Sequence, residues 1–283
     1  MIPVNTSAEE WNRRLSPDEA AEFAQRLDLD GIVGPFRVCD EVLAQDLART
    51  FLEVGNKLDS RVAQTNDPAE QQAAMHEAVL ETRNRHLYDA DVMSLLQQPS
   101  LMSRLAICLG NELVFWRTQA FVQHVCRRQS AVAPLPWHRD NYLTLLDLPR
   151  TNVSVHLALT SSTETNCMRA LIGSHHLSDE VLFRDYGLNH IEGSEKIGPG
   201  TSRYEGDVMP GLPALRHLVM APGEAFLFND RLLHASSWTD DPGIASVRVA
   251  FAIRATIPAV RILPPAFQDS LPREDHPITL SAG

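Results

Sequence analysis

The sequence is short of positive charge. Its 25 Lys and Arg face 36 Asp and Glu, for a net charge of -11, and the basic residues form no block. Nucleic acid, which is held by clustered cations, is therefore not an expected partner. No run is long and apolar enough to cross a bilayer. Residues 1–10 have neither the basic start nor the apolar core of an export signal. Both absences point to a cytoplasmic protein with no membrane partner. The four cysteines, Cys39, Cys108, Cys126 and Cys167, are scattered and form no CxxC pair. That spacing suits reduced core thiols rather than disulfides or a zinc site. There is no internal repeat and no extended low-complexity segment.

What is present divides into two parts. With 283 residues the chain can bury a core without staples, and 1–283 is read as one domain. Residues 1–110 read as mostly helical support. Ser16, Pro17 and the acids that follow make a helix start. Asp40 then caps an amphipathic helix carrying Leu43, Leu47, Phe51 and Leu58. Residues 67–82 are helix-prone with little apolar stripe, so they are expected at the surface. From 111 the pattern changes to strands. The stretch 112–123 is rich in aromatic and β-branched residues, and Asn152 to Thr160 alternates as a half-buried strand does. Further short strands are read at 169–172, 216–220, 225–229 and 246–255. The expected fold is mainly β with flanking helices, an antiparallel sandwich or jelly roll over 111–260. Residues 178–213 lack periodicity and read as a lid loop. Residues 261–283 read as a C-terminal tail.

The chemistry centres on His138 and Asp140, two positions apart, and on a distant His234. In a strand, i and i+2 point the same way, so His138 and Asp140 project together and Arg139 faces out. His234 follows a strand-like stretch and can close the site from a neighbouring strand. Two imidazoles and one carboxylate on one face suit a ferrous ion and leave its other face open. Arg248 lies on the next strand, where a guanidinium can hold a carboxylate bidentately. Three ligands and a carboxylate anchor are what an Fe(II)/2-oxoglutarate site requires.

Five stretches, in order, resemble the phytanoyl-CoA dioxygenase-like branch of the iron(II)/2-oxoglutarate oxygenases. They are 84–90, 115–121, 137–140, 165–175 and 234–254, together spanning about Arg83 to Ile257. The resemblance implies a double-stranded β-helix backed by N-terminal helices. It implies His138, Asp140 and His234 as iron ligands and Arg248 on the distal carboxylate of 2-oxoglutarate. It also implies O2 as cosubstrate, succinate and CO2 as coproducts, and ascorbate as the in vitro reductant. Halogenases similar to this family replace the carboxylate with a small residue, so Asp140 argues for oxygen transfer.

Secondary candidates follow from position. Arg117, Gln119, Phe121 and Gln123 share one polar strand face that can line the pocket. Arg117, Gln119 and His156 are candidate cosubstrate contacts; His86, Gln123 and Trp137 are candidate substrate contacts. His175 and His176 are read as a structural turn. Arg184, Lys196 and Arg203 could meet an anionic substrate, although solvated charge is the simpler reading. The function read from the sequence is hydroxylation of an unactivated C–H bond in a small molecule of bacterial secondary metabolism, by a monomer or homodimer. Desaturation, epoxidation or cyclisation use the same cofactors. A non-catalytic jelly-roll binding protein is the alternative of another class, and it has no need of all four residues.

Overall fold

The computed structural model describes residues 13–124, 135–140, 145–148, 151–194, 201–209, 212, 214–238, 247–263 and 278–281. Helix α1 (Pro17–Asp30) begins with a reciprocal cap: the Glu19 amide donates to Ser16 Oγ and the Ser16 amide to the Glu19 carboxylate. It ends at Gly31 (φ +76°), where an added Cβ would lie 2.5 Å from His175 Nδ1. Only glycine fits that left-handed turn at that approach. Strand β1 (Ile32–Arg37) follows, and Asp40 then caps α2 (Glu41–Gln64) through the Leu43 amide at 2.8 Å. Helices α3 (Pro68–Thr82), α4 (Ala90–Leu96) and α5 (Pro99–Leu109) complete the helical part. As its weak apolar stripe predicts, α3 is largely exposed.

The strands are β2 (Glu112–His124), β3 (His138–Arg139), β4 (Val153–Ala158), β5 (Met168–Leu171), β6 (Asn189–His190), β7 (Ser202–Glu205), β8 (Leu215–Leu218), β9 (Glu224–Asn229), β10 (His234–Ser236), β11 (Val247–Thr256) and β12 (Ile278–Ser281). Among the described residues they form two antiparallel sheets, ordered β1-β9-β4-β11-β2-β12 and β6-β7-β3-β10-β5-β8. The chain crosses from one sheet to the other at β2, β3, β4 and β5, and again from β8 through β9 and β10 to β11. That alternation is jelly-roll topology, as expected. Strand β12 lies within the segment read as a tail and pairs with β2.

The first sheet is covered on both faces. Its outer face, including Val155, Leu157, Leu227, Phe251 and Ile253, packs on Leu47 and Phe51 of α2 and on residues of α4 and α5. Phe51 and Phe251 stack with centroids 5.7 Å apart. All six residues of β4 are buried, so the half-buried expectation is corrected. Its polar residues face the second sheet instead of water. The segment 178–213 is also corrected, since it is no structureless loop. It contains α6 (Asp179–Tyr186), β6 and β7, and its Leu182, Leu188, Tyr204 and Val208 pack around Trp137. Residues 195–200, 210, 211 and 213 of it lie outside the described residues, as do Cys126 and His276. Cys39, Cys108 and Cys167 are free, and burial pushes the Cys39 and Cys108 thiols up to about 12. No helix among the described residues is long and apolar enough to cross a membrane.

Candidate metal centre

Strands β3 and β10 are neighbours, and His138 is the direct partner of His234. Residues opposite one another in an antiparallel pair project to the same face, so the rings lie side by side with centroids 4.1 Å apart. Each Nδ1 is tied back to its own strand: His138 donates to the Pro136 carbonyl at 2.8 Å and His234 to the Leu232 carbonyl at 2.9 Å. Those bonds fix the tautomer and present both Nε2 lone pairs forward. Asp140 Oδ1 lies 3.9 Å from His138 Nε2. One ligand atom from each of the three residues lies within 4.8 Å of the others, and all three residues are buried.

Electrostatics keep the imidazoles neutral. Burial, reinforced by the His234 charge, pushes His138 down to about 3. Burial also lowers His234. Neutral imidazoles are what a metal needs. An N,N,O donor set with open positions fits Fe(II) in oxygenase sites.

A narrow crevice at Arg248 has His156, Thr160, Ser162, Cys167 and Met168 in its lining. Arg248 is 5% exposed. Its Nη2 donates to Gln123 Oε1 at 2.7 Å and to Ser236 Oγ at 3.3 Å, while Nε and Nη1 meet no acceptor. Buried donors are normally satisfied, so this guanidinium keeps N–H groups on both of its edges open to an anionic acceptor. Burial depresses Arg248 to about 10, still charged at neutral pH. Burial, then the charge of Arg248, drives His156 well below its ordinary value. 2-Oxoglutarate therefore fits the residues present.

The ladder register decides the remaining candidates. On β11, positions 248, 250, 252 and 254 face the second sheet, opposite 123, 121, 119 and 117 of β2 and flanking 158, 156 and 154 of β4. Gln123 and His156 thus join the pocket face. Gln123 holds Arg248 in place through its Oε1. Arg117 and Gln119 share that face, but Arg117 pairs with Arg254, six positions from Arg248, or about 20 Å along a strand.

Two further corrections follow. His86 hydrogen-bonds Thr118 at 2.9 Å, and Thr118 pairs with Ile253 on the helix side of the sheet. His86 therefore faces away from the triad. Trp137 is one residue out of phase with His138 and Asp140. It sits in the outer cluster, donating from Nε1 to Asp207 at 3.0 Å. Arg139 points away from the metal face as expected, yet it is buried. It reaches the carbonyls of Ser174 and Leu177 at 2.8 and 2.9 Å, and Asp179 at 3.2 Å. His175 and His176 both donate from Nε2 to the Asp28 carbonyl, a structural clamp. Arg184 is an exposed partner of Asp185. Lys196 lies outside the described residues.

Sequence reading missed three residues. Ser236 follows His234 by two on one strand, so its hydroxyl faces the pocket and braces Arg248. Arg254 lies 3.4 Å from Asp140 Oδ2, and it shares the strand parity of Arg248. Arg83 donates to Gln119 Oε1 at 3.2 Å, a contact made by a bridge to β2 that no local pattern signals.

Solved structures share this fold. The non-heme monooxygenase ThoJ, in its apo form, superposes with a TM-score of 0.58 at 20% identity, over 85% of this chain and 79% of that one. CytC3 with Fe(II) and alpha-ketoglutarate gives 0.56 at 19%, over 93% and 87%. The epimerase SnoN in complex with Fe3+, alpha ketoglutarate and nogalamycin RO gives 0.60 at 16%, over 92% of each chain. No curated protein matches the chain significantly. The phytanoyl-CoA dioxygenase (PhyH) family pattern matches residues 15–241, most of the chain, in the same region as the triad and the helical support. The chain belongs to the phytanoyl-CoA dioxygenase (PhyH) family.

Proposed function

We propose that this protein is an Fe(II)/2-oxoglutarate-dependent oxygenase, acting as one domain, that hydroxylates an unactivated C–H bond of a small molecule. The observation that carries the reading is the pairing of a His138–Asp140–His234 triad with a buried Arg248 that has two N–H donors to spare. Bound iron supplies one-electron chemistry with dioxygen, and 2-oxoglutarate leaves as succinate and CO2. His138, Asp140 and His234 hold the metal as neutral imidazoles and a carboxylate. Gln123 and Ser236 aim Arg248 at the distal carboxylate of the cosubstrate. A role in secondary metabolism is supported by likeness to an epimerase from nogalamycin biosynthesis.

The test is cosubstrate turnover. Purified protein with Fe(II), ascorbate and 2-oxoglutarate is expected to release succinate in air, faster with a true substrate. Absence of succinate across a broad substrate panel, together with no anaerobic binding of 2-oxoglutarate, removes the reading.

A further inference from the structure

The two imidazoles of the triad are each oriented by a bond from Nδ1 back to their own strand. Asp140 lies just past the end of that frame. Strand β3 is two residues long, and its ladder pairs, His138 with His234 and Arg203 and Arg139 with Ser202, stop one residue before Asp140. A support comes from the opposite sheet. Arg254 Nη2 donates to Asp140 Oδ2 at 3.4 Å, and both side chains are buried. Asp140 Oδ1 lies on the imidazole side, 3.9 Å from His138 Nε2. The two carboxylate oxygens are thus divided, one toward the metal ligands and one toward the guanidinium.

The backbone under Arg254 is suited to that contact. Strand β11 is paired on both sides, by β2 and by β4, so Arg254 sits on a fixed frame. It is also the last position before the ladder to β2 slips. Arg254 pairs with Arg117 but Ala255 pairs with Phe115, which leaves Trp116 as the extra residue of a β-bulge. Bulges re-aim side chains and are frequent beside active sites. A buried guanidinium is a strong, charge-assisted donor to a carboxylate. A carboxylate can hold a divalent ion through one oxygen or through both. The proposed chemistry depends on which. Two imidazoles and one carboxylate oxygen leave room for a chelating cosubstrate and for dioxygen. An Asp140 that bound through both oxygens would fill the last position.

Resting on the oxygenase reading, we infer that Arg254 is a positioning residue. By holding Oδ2 it makes Asp140 a one-oxygen ligand and keeps a position beside 2-oxoglutarate open to dioxygen. It acts through Asp140.

The test uses nitric oxide in place of dioxygen. It is titrated anaerobically into protein loaded with Fe(II) and 2-oxoglutarate. The iron nitrosyl is read by electron paramagnetic resonance, and cosubstrate occupancy by visible charge-transfer absorption. Arg254→Gln removes the charge and shortens the reach. It should bind nitric oxide roughly tenfold to a hundredfold more weakly than wild type, the range spanned by losing a metal ligand's hydrogen-bond partner, and should keep the charge-transfer absorption. Arg254→Lys keeps a buried cation that can donate, and should recover most of the wild-type affinity. A purely structural role would lower the thermal midpoint and leave nitric oxide binding unchanged. Wild-type nitric oxide affinity in Arg254→Gln therefore overturns the inference. So does loss of the charge-transfer absorption in that variant, which would make Arg254 a cosubstrate contact. A second reading is the carboxylate infrared splitting of protein with 13C-labelled aspartate, metal-loaded minus metal-free. It should be wide in wild type, as for a one-oxygen ligand, and narrow in Arg254→Gln. If Arg254→Gln fails to fold, wild type alone decides, and a narrow splitting there overturns the inference. If wild-type protein takes up iron but no 2-oxoglutarate, the oxygenase reading falls separately, and the same splittings still decide the role of Arg254.

Discussion

Replacing Arg248 by Met should move stability and cosubstrate binding in opposite directions. Burial takes this guanidinium from 12.5 to about 10. At about 1.36 kcal/mol per pH unit, that is a penalty of ~3 kcal/mol on the charged form. Met keeps the packing of the stem and removes the charge. The metal-free Arg248→Met protein should therefore be more stable by up to ~3 kcal/mol, less the loss of the bonds to Gln123 and Ser236. The same change deletes two charge-assisted hydrogen bonds to 2-oxoglutarate, worth ~1.5–3 kcal/mol each, or about a hundredfold to ten-thousandfold in affinity. Urea unfolding of the metal-free protein reads the first effect. Anaerobic calorimetry of 2-oxoglutarate into the Fe(II)-loaded protein reads the second. A variant that is destabilised and binds 2-oxoglutarate normally would make Arg248 a structural residue and refute the reasoning.

Two further expectations concern the frame of the site. His156 is buried and held neutral, its folded value well below the ordinary 6.5. The unfolded chain takes up a proton below pH 6.5 and the folded chain does not. Stability is therefore full above that pH and falls as pH drops below it, by up to about 1.4 kcal/mol per pH unit for one group. Comparing urea midpoints at pH 7.5 and 5.5 should show a smaller fall in His156→Gln than in wild type, and an equal fall would count against the assignment. Gly31→Ala should cost ~1–3 kcal/mol, because Gly31 has φ +76° and the new Cβ would meet His175. A thermal midpoint within a degree of wild type would show that the turn relaxes.

The metal ligands were legible because they depend on local information. Two residues at strand parity point together whatever the rest of the chain does, and His138 and Asp140 need nothing more. Arg248 was legible for the same reason, as a cation at the start of a largely apolar strand. The same parity also placed Trp137 on the wrong side of β3, a signal present in the sequence and outweighed by mere adjacency to the metal motif. Register was not legible. The polar face of β2 could be read by alternation, but only its pairing with β11 shows that Gln123 lies at the anchor and Arg117 near Asp140. His86 failed likewise, since its side of the sheet is set by residues 83–84 docking along β2. The elements within 178–213 are an eight-residue helix and strands of two and four residues, too short to display a period.

The central claim is that His138, Asp140 and His234 hold a ferrous ion to which 2-oxoglutarate is added from the Arg248 side. Its most direct test is an anaerobic titration of Fe(II) into the metal-free protein with saturating 2-oxoglutarate, followed by visible charge-transfer absorption. The absorption should grow to saturation at one equivalent of iron per chain and should be lost in Asp140→Ala. No absorption in wild type, or an undiminished one in Asp140→Ala, would contradict the account.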